Sequence, residues 1–148
     1  MESLDRLLDG IQVLVVDDND DARYVLERVF EHHGAVVVAV ASASEALSSL
    51  QQVQPHVIIS DLSMPGMDGV TFIKAVRALP GQGERPTPAI ALTAYPETQH
   101  RERALEAGFD SYLVKPVDPT VVVREAASLV RERREARGQS SSLPPREV

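Results

Sequence analysis

Five apolar runs, rich in valine and isoleucine, recur along the chain. They are nearly continuous rather than alternating, which is typical of parallel strands that are covered by helices on both faces. The runs are residues 11–16, 35–40, 57–60, 89–93 and 111–114. The stretches between them are long enough to hold one helix each, so the pattern predicts alternating strands and helices.

Apolar residues in the first intervening stretch recur at the spacing of an amphipathic helix. The predicted inward face consists of Ala22, Val25, Leu26 and Val29. Gly34 follows this face and is the predicted C-cap.

Capping and stop signals place three further helices. Ser42 followed by Glu45 forms a capping box before the second helix. The third helix is predicted over residues 70–79 and is stopped by Pro80, and the fifth begins at the Asp-Pro pair of residues 118–119.

The fourth predicted helix, residues 96–107, has few large apolar side chains. We therefore expect it to pack lightly on the sheet and to move easily. A lightly packed helix of this kind is suited to a switch surface.

This alternation predicts an α/β fold with a doubly wound sheet of five parallel strands. The folded domain is predicted over residues 10–134, after an N-terminal linker at residues 1–9. Apolar residues become sparse beyond residue 131, and the end of the chain is rich in Ser and Pro. Residues 135–148 are therefore predicted to be a disordered tail.

Composition restricts the partners and the compartment. The 148 residues carry a formal net charge of −7, which argues against nucleic acid or an acidic membrane surface as the main partner. There is no cysteine, which excludes disulfides and thiolate metal sites. The sequence shows no signal-peptide pattern and no apolar run of membrane-spanning length, so we expect a cytoplasmic domain without membrane contact.

Polar residues that are candidates for a functional site follow or end four of the five predicted strands. They are Asp17, Asp18, Asp61, Thr93 and Lys115. Because ligands of doubly wound sheets bind at the carboxyl ends of the strands, we expect these side chains to share one edge. Asp17 or Asp18 is also a candidate N-cap for the first helix.

Three carboxylates at one edge repel one another unless a cation is bound or some of them stay protonated. Mg²⁺ suits such a site because it accepts a few carboxylates and keeps other positions for water or phosphate oxygens. Carboxylate ligands also suit Mn²⁺, which is the alternative ion here. The hydroxyl of Thr93 and the ammonium of Lys115, one of only two lysines, are suited to bind a phosphoryl group beside the metal.

These motifs together resemble the receiver domain of two-component response regulators, over about residues 10–131. The similar segments are the Asp17-Asp18 pair, residues 60–69 (SDLSMPGMDG), residues 92–94 (LTA) and residues 112–116 (YLVKP). Residues 89–95 (AIALTAY) and 108–117 (GFDSYLVKPV) are especially similar to receivers at the C-terminus of hybrid sensor histidine kinases. The resemblance implies a flavodoxin-like receiver fold with strand order 2-1-3-4-5.

The resemblance also implies a role for each acidic residue of the edge. Asp61 would be the phosphoacceptor. Asp18 and Asp61 would bind Mg²⁺ directly, Asp17 would act mainly through water, and the backbone carbonyl of Ser63 would complete the protein ligands.

For the phosphoryl group, the resemblance implies contacts from Thr93, from Lys115 and from the backbone N–H of Ala94. Tyr112 would be the aromatic switch residue that turns inward as Thr93 moves, although a half-buried sheet aromatic is the simpler interpretation of that position. The peptide bond between Lys115 and Pro116 is expected to be cis.

The implied function is a phosphorylation-controlled signalling module that catalyses only its own phosphorylation and dephosphorylation. Its partners would be a sensor histidine kinase or a histidine phosphotransfer protein, together with a downstream protein target, and self-association is left open.

Two other function classes compete with this one. The first is a phosphohydrolase that forms an aspartyl phosphate, although such an enzyme needs a second acid where this chain has Ser63. The second is a flavodoxin-like cofactor binder, which would favour a phosphate-binding Gly or Ser/Thr loop over the acidic pair.

Overall fold

The structure is a computed structural model that describes residues 6–83, 86–94 and 98–140, with side chains described up to residue 135. Strands and helices alternate along the whole described chain. The strands are β1 (Gln12–Val16), β2 (Val36–Val40), β3 (Val57–Asp61), β4 (Ala89–Thr93) and β5 (Ser111–Val114). The helices are α1 (Asp20–His32), α2 (Ala43–Ser49), α3 (Gly69–Arg77), α4 (Thr98–Ala107) and α5 (Pro119–Ser140).

The five strands form one sheet in the order β2-β1-β3-β4-β5, and every neighbouring pair is parallel. This confirms the predicted fold class and strand order. All residues of β3 and β4 are buried, whereas the edge strands β2 and β5 are partly exposed.

Side chains of β1 alternate between two hydrophobic cores. Val13 and Val15 point into a core shared with α1 and α5. Leu14 and Val16 point into a core shared with α2, α3 and α4. Both faces of the strand are therefore covered by helices, which explains its unbroken apolar run.

The start of α1 differs from one prediction. Asn19 is the N-cap, and its side-chain oxygen accepts the N–H of Ala22 at 2.8 Å. Neither Asp17 nor Asp18 caps the helix, so the capping role considered for them is wrong. Asn is as good an N-cap as Asp, and the cap lies two residues closer to the helix than Asp17.

The inward face of α1 also differs from the predicted one. Its buried side chains are Leu26 and Phe30, four residues apart, whereas Val25 is 44% exposed. Val25 is turned by about 100° from Leu26 around the helix axis, which places it outside the buried stripe. His33 rather than Gly34 is the C-cap, and Gly34 follows it with a φ of +93°.

Two observations concern the predicted boundaries of the folded unit, which stay predictions. Leu8, within the predicted linker, is 1% exposed and its N–H donates to the carbonyl of His33 at 2.9 Å. Helix α5 continues to Ser140, because the Arg, Glu and Ala residues near its end are strong helix formers. The remainder of the predicted tail, residues 141–148, lies outside the described residues. Neither α5 nor any other described helix is long and apolar enough to cross a membrane.

Helix α4 packs lightly, as predicted. Among its residues, all of which are described, only Ala104 is buried. The described helix begins at Thr98, and residues 96 and 97 of the predicted helix lie outside the described residues. Its mobility stays a prediction.

Candidate functional site

The acidic residues lie where the strand order of the sheet reverses. β1 is the only strand between β2 and β3, and its Val16 is opposite Ser60 of β3. Asp17 directly follows β1, and Asp61 is the last residue of β3. Their side chains therefore start from adjacent strand ends, which is the position where doubly wound sheets bind ligands.

The structure brings the three predicted acids together. Carboxylate oxygens from Asp17, Asp18 and Asp61 lie within 4.8 Å of one another. Asp17 is 1% exposed and Asp61 is 7% exposed, whereas Asp18 is open to solvent.

The donor set fits a hard divalent cation. Within the described part of the chain, Oδ2 of Asp17 is a buried oxygen without a hydrogen-bond partner. A buried oxygen of this kind is costly unless a cation or water satisfies it. Three convergent carboxylates with one exposed side match the preference of Mg²⁺ for oxygen ligands and retained water.

Asp17 is held through its side chain and its backbone by two residues that the sequence did not single out. Its Oδ1 accepts the N–H of Asn19 at 2.9 Å. Its backbone carbonyl accepts a hydrogen bond from Nη1 of Arg23, also at 2.9 Å. An Asn directly after the acidic pair is a recognisable cap signal, but no sequence pattern marks Arg23.

Lys115 is placed opposite the acids by the segment that follows β5. Its Nζ lies 3.5 Å from Oδ2 of Asp17 and 3.6 Å from Oδ2 of Asp61. These are ion-pair distances, longer than a good hydrogen bond. The Lys115-Pro116 bond is cis, as predicted.

Burial raises the pKa of the Asp61 carboxyl above its ordinary value of 3.8. The N–H of Ser63, 3.2 Å from Oδ1, and the ammonium of Lys115 lower this pKa, while the charges of Asp17 and Asp18 raise it. Burial is the largest of these effects, so the carboxylate is held in a site that favours added positive charge.

The loop after Asp61 is closely packed beneath the site. Met64 is buried, and Asp68 caps α3 by accepting the N–H of Thr71 at 2.9 Å. A Cβ on Gly69 would lie 2.7 Å from the carbonyl oxygen of Asp61, so this position requires glycine. The first residue of α3 therefore lies directly against the end of β3.

The remaining predicted site residues occupy different environments. Thr93 is fully buried at the end of β4, and Ala94 and Ser63 are exposed. Tyr112 is half-buried and packs against the core beneath α3 and α4. It is opposite Ala91, two residues before Thr93 on the same face of the sheet. Its predicted rotation stays a prediction.

The comparisons with known proteins agree with this geometry. Residues 13–127 match the family model described as the response regulator receiver domain. An uncharacterized 14.6 kDa protein from Leptolyngbya boryana is 47% identical over 114 residues, which cover 77% of this chain and 86% of that protein.

Two further similar proteins have names that state a function. The transcriptional regulatory protein PrrA of Mycobacterium tuberculosis is 37% identical over 82% of this chain, and the chain spans about half (51%) of PrrA. A solved receiver domain of a sensor histidine kinase from Pseudomonas aeruginosa PAO1 has a TM-score of 0.73 and 31% identity, covering 82% of this chain and 98% of that one. That structure has a magnesium ion coordinated in its active-site cleft.

Proposed function

We propose, since this chain belongs to the response regulator receiver domain family, that Asp61 is its phosphoacceptor and takes a phosphoryl group from a phosphohistidine on a partner protein. The observation that carries this proposal is the position of Asp61. Its carboxylate is buried at the end of β3, grouped with Asp17 and Asp18 and 3.6 Å from the Lys115 ammonium. A carboxylate in this position is oriented for attack and is surrounded by groups that bind metal and phosphate.

Receiver domains bind Mg²⁺ in their acidic site, and the oxygens of this chain suit that ion. In the proposed set, Asp18 and Asp61 would bind it directly, Asp17 would act through water, and the carbonyl of Ser63 would complete the protein ligands. When bound, the ion offsets the negative charge of the phosphoryl oxygens.

Residues of this chain carry out the phosphoryl transfer. A carboxylate oxygen of Asp61 forms a new bond to phosphorus while the bond from phosphorus to the partner's imidazole nitrogen breaks, and that nitrogen keeps the electron pair. Lys115 stabilises the negative charge that the group carries. The hydroxyl of Thr93 and the N–H of Ala94 bind the remaining phosphoryl oxygens.

The phosphoryl group then acts on the lightly packed part of the molecule. Thr93 ends β4, and α4 beyond it is anchored by Ala104 as its one buried side chain in the described range. A new dianion that draws Thr93 towards the site changes how Tyr112 and α4 pack, and so changes a protein-binding surface.

A cleft of about 620 Å³ supports the docking of a phosphodonor protein beside the site. It lies between α1 and the segment after β5, and Asp17 and Lys115 form part of its wall. Its other walls are mainly apolar, with Val25, Leu26 and Pro116 among them. We propose that a sensor histidine kinase or a histidine phosphotransfer protein binds here, in the cytoplasm, and that a downstream protein recognises the switched surface.

The phosphohydrolase alternative is not favoured. Ser63 is exposed two residues after Asp61, so this position has no second carboxylic acid for proton transfer to substrate or water. A signalling module needs no such acid because its product is the phosphorylated domain.

Incubation of the full chain with phosphoramidate and Mg²⁺ tests the phosphoacceptor role. We expect intact-mass spectrometry to show one added phosphoryl group on the wild type and none on Asp61→Asn. Asp68→Asn is the matched control, because it removes one acid from the same loop and keeps a good N-cap for α3.

Two outcomes would count against this proposal. An unmodified wild type, or Asp61→Asn modified to the same extent, removes Asp61 as the acceptor. Release of many phosphate molecules per protein from phosphate esters would favour the phosphohydrolase instead.

A further inference from the structure

Arg23 connects the acidic loop to helix α1. Its Nη1 donates to the carbonyl oxygen of Asp17 at 2.9 Å, and its Nη2 donates to Oδ1 of Asp20 at 2.6 Å. The Arg23 side chain is 21% exposed, whereas that of Asp20 is 86% exposed. The hydrogen bond from Nη1 to the Asp17 carbonyl is therefore shielded from solvent more than the ion pair with Asp20 is. That ion pair orients the other end of the guanidinium, at Nη2.

This contact completes the fixation of Asp17. The N–H of Asn19 binds Oδ1, and Arg23 binds the carbonyl of the same residue. The backbone and one carboxylate oxygen of Asp17 are thereby held. The other oxygen, the buried Oδ2 without a hydrogen bond, faces the Lys115 ammonium at 3.5 Å.

We propose that Arg23 is a positioning residue for the acidic pair and that it strengthens Mg²⁺ binding by fixing the carbonyl of Asp17. The inference deepens the proposed function, because it rests on Mg²⁺ being the ion of that site. Replacing a residue that orients a direct metal ligand typically changes metal affinity by about 10- to 100-fold, and because Asp17 acts through water in the proposed set we expect the lower end of this range.

Charge and geometry predict opposite effects for the loss of Arg23. The guanidinium is a positive charge near the cation site, so its removal alone would strengthen Mg²⁺ binding. The loss of its hydrogen bond to Asp17 would let the loop relax and would weaken Mg²⁺ binding. The sign of the measured change therefore separates a positioning role from a purely electrostatic one.

Isothermal titration of the full chain with MgCl₂ tests the proposal. We expect Arg23→Ala to weaken Mg²⁺ binding by on the order of tenfold. Arg23→Lys is expected to weaken it as well, because a single ammonium keeps the charge but cannot reproduce the planar fork. Arg28→Ala is the matched control, since it removes the same charge from α1, where Arg28 lies over the Tyr24 ring at 5.8 Å.

The expected pattern is weaker binding in both Arg23 variants and a change of less than about twofold, or tighter binding, in Arg28→Ala. Phosphorylation at saturating Mg²⁺ is then expected to return close to the wild-type rate in both Arg23 variants. Thermal unfolding in EDTA identifies a variant that no longer folds. If Arg23→Ala does not fold, Arg23→Lys carries the comparison.

Tighter or unchanged Mg²⁺ binding in both Arg23 variants would overturn the positioning role, as would a wild type that does not bind Mg²⁺. The two proposals fail separately in this experiment. A wild type that binds Mg²⁺ with the expected pattern but accepts no phosphoryl group contradicts the phosphoacceptor role alone. Normal phosphorylation with unchanged Mg²⁺ affinity in the variants contradicts the role of Arg23 alone.

Discussion

The pKa of Asp61 links the chemistry of one side chain to the stability of the fold. Burial raises this pKa above 3.8, and the charges of Asp17 and Asp18 act in the same direction. A carboxyl whose pKa is higher in the folded than in the unfolded state favours folding when it is protonated. Its contribution to stability is therefore lost as the pH rises from the unfolded pKa through the folded one.

Asp61→Asn should for this reason stabilise the metal-free domain at neutral pH. We expect its free energy of unfolding at pH 7 in EDTA to exceed that of the wild type by on the order of 1 kcal/mol. The gap should close as the pH falls below 3.8, where the aspartate is also neutral. Urea unfolding followed by circular dichroism at several pH values measures this gap. A variant that is less stable than the wild type at pH 7 would show that the buried charge is already compensated without metal.

Mg²⁺ should reverse this order of stability. An ion that binds only the folded state stabilises it by about 2.7 kcal/mol when its concentration is 100 times Kd. The wild type should gain this stabilisation and Asp61→Asn should gain much less, because one carboxylate ligand is gone. The same urea titrations with MgCl₂ in place of EDTA provide the comparison.

At the scale of elements, the guanidinium of Arg77 joins α3 to the starts of β4 and β5. It donates to the carbonyls of Gly108 and Thr87, at 2.7 Å and 2.6 Å, and lies 3.3 Å from Oδ2 of Asp110. The same Asp110 oxygen accepts the N–H of Ala89, the first residue of β4. One side chain thus fixes the ends of β4 and β5 that lie opposite the acidic site.

Replacement of Arg77 should destabilise the whole domain. We expect Arg77→Ala to lower the free energy of unfolding by about 2–3 kcal/mol, because half-buried carbonyls lose a charged donor. Arg77→Lys should cost somewhat less, since an ammonium replaces only part of the planar contact. Arg101→Ala, an exposed arginine of α4, is the control and should change stability by less than about 0.5 kcal/mol. Urea unfolding compares the three, and equal effects of Arg77→Ala and Arg101→Ala would contradict the structural role.

The local sequence predicted the elements well because a strand that is buried on both faces appears as an unbroken apolar run. It could not predict the Arg77 contacts, since Gly108 and Asp110 are 31 and 33 residues away along the chain. The α1 face was predicted only in part for a related reason: Leu26 and Val29 pack in the core as predicted, whereas Val25 does not. Val25 and Leu26 are equally apolar, and only the docking of the helix on the sheet decides which of them is buried.

At the scale of the whole molecule, the acidic edge was predictable because parallel strands must place their carboxyl ends together. That Asp17, Asp18, Asp61 and Lys115 share one edge follows from the parallel strands, whereas the close approach of Lys115 to the acids across β4 is seen only in the structure. The burial of Leu8 was not predictable in this way. The short N-terminal segment has no periodic pattern. Leu8 is buried because its backbone is hydrogen-bonded to the turn after α1 and its side chain packs in the core there.

The two adjacent leucines of that segment test where the folded unit begins. Leu8 is 1% exposed and belongs to the core that includes Ile11 and Phe30, whereas Leu7 is 36% exposed. We expect Leu8→Ala to lower the free energy of unfolding by about 3 kcal/mol, as other fully buried leucines do. Leu7→Ala should change it by less than about 0.5 kcal/mol. Equal effects of Leu8→Ala and Leu7→Ala on urea unfolding would show that the segment is a linker, as the sequence predicted.

Removal of residues 135–148 tests the other boundary. In the described part of α5 the last buried side chain is Val130, and residues 131–135 are exposed or half-buried. We propose that residues up to 134 suffice for the receiver unit and expect the shortened chain to unfold within about 0.5 kcal/mol of the full chain. It should also keep the wild-type affinity for Mg²⁺, because the acidic edge lies at the carboxyl ends of the strands, far along α5 from the cut. A large loss of stability with unchanged Mg²⁺ binding would mean that the end of α5 packs against the body. Loss of both would show that the end of α5 is part of the cooperative unit that holds the site.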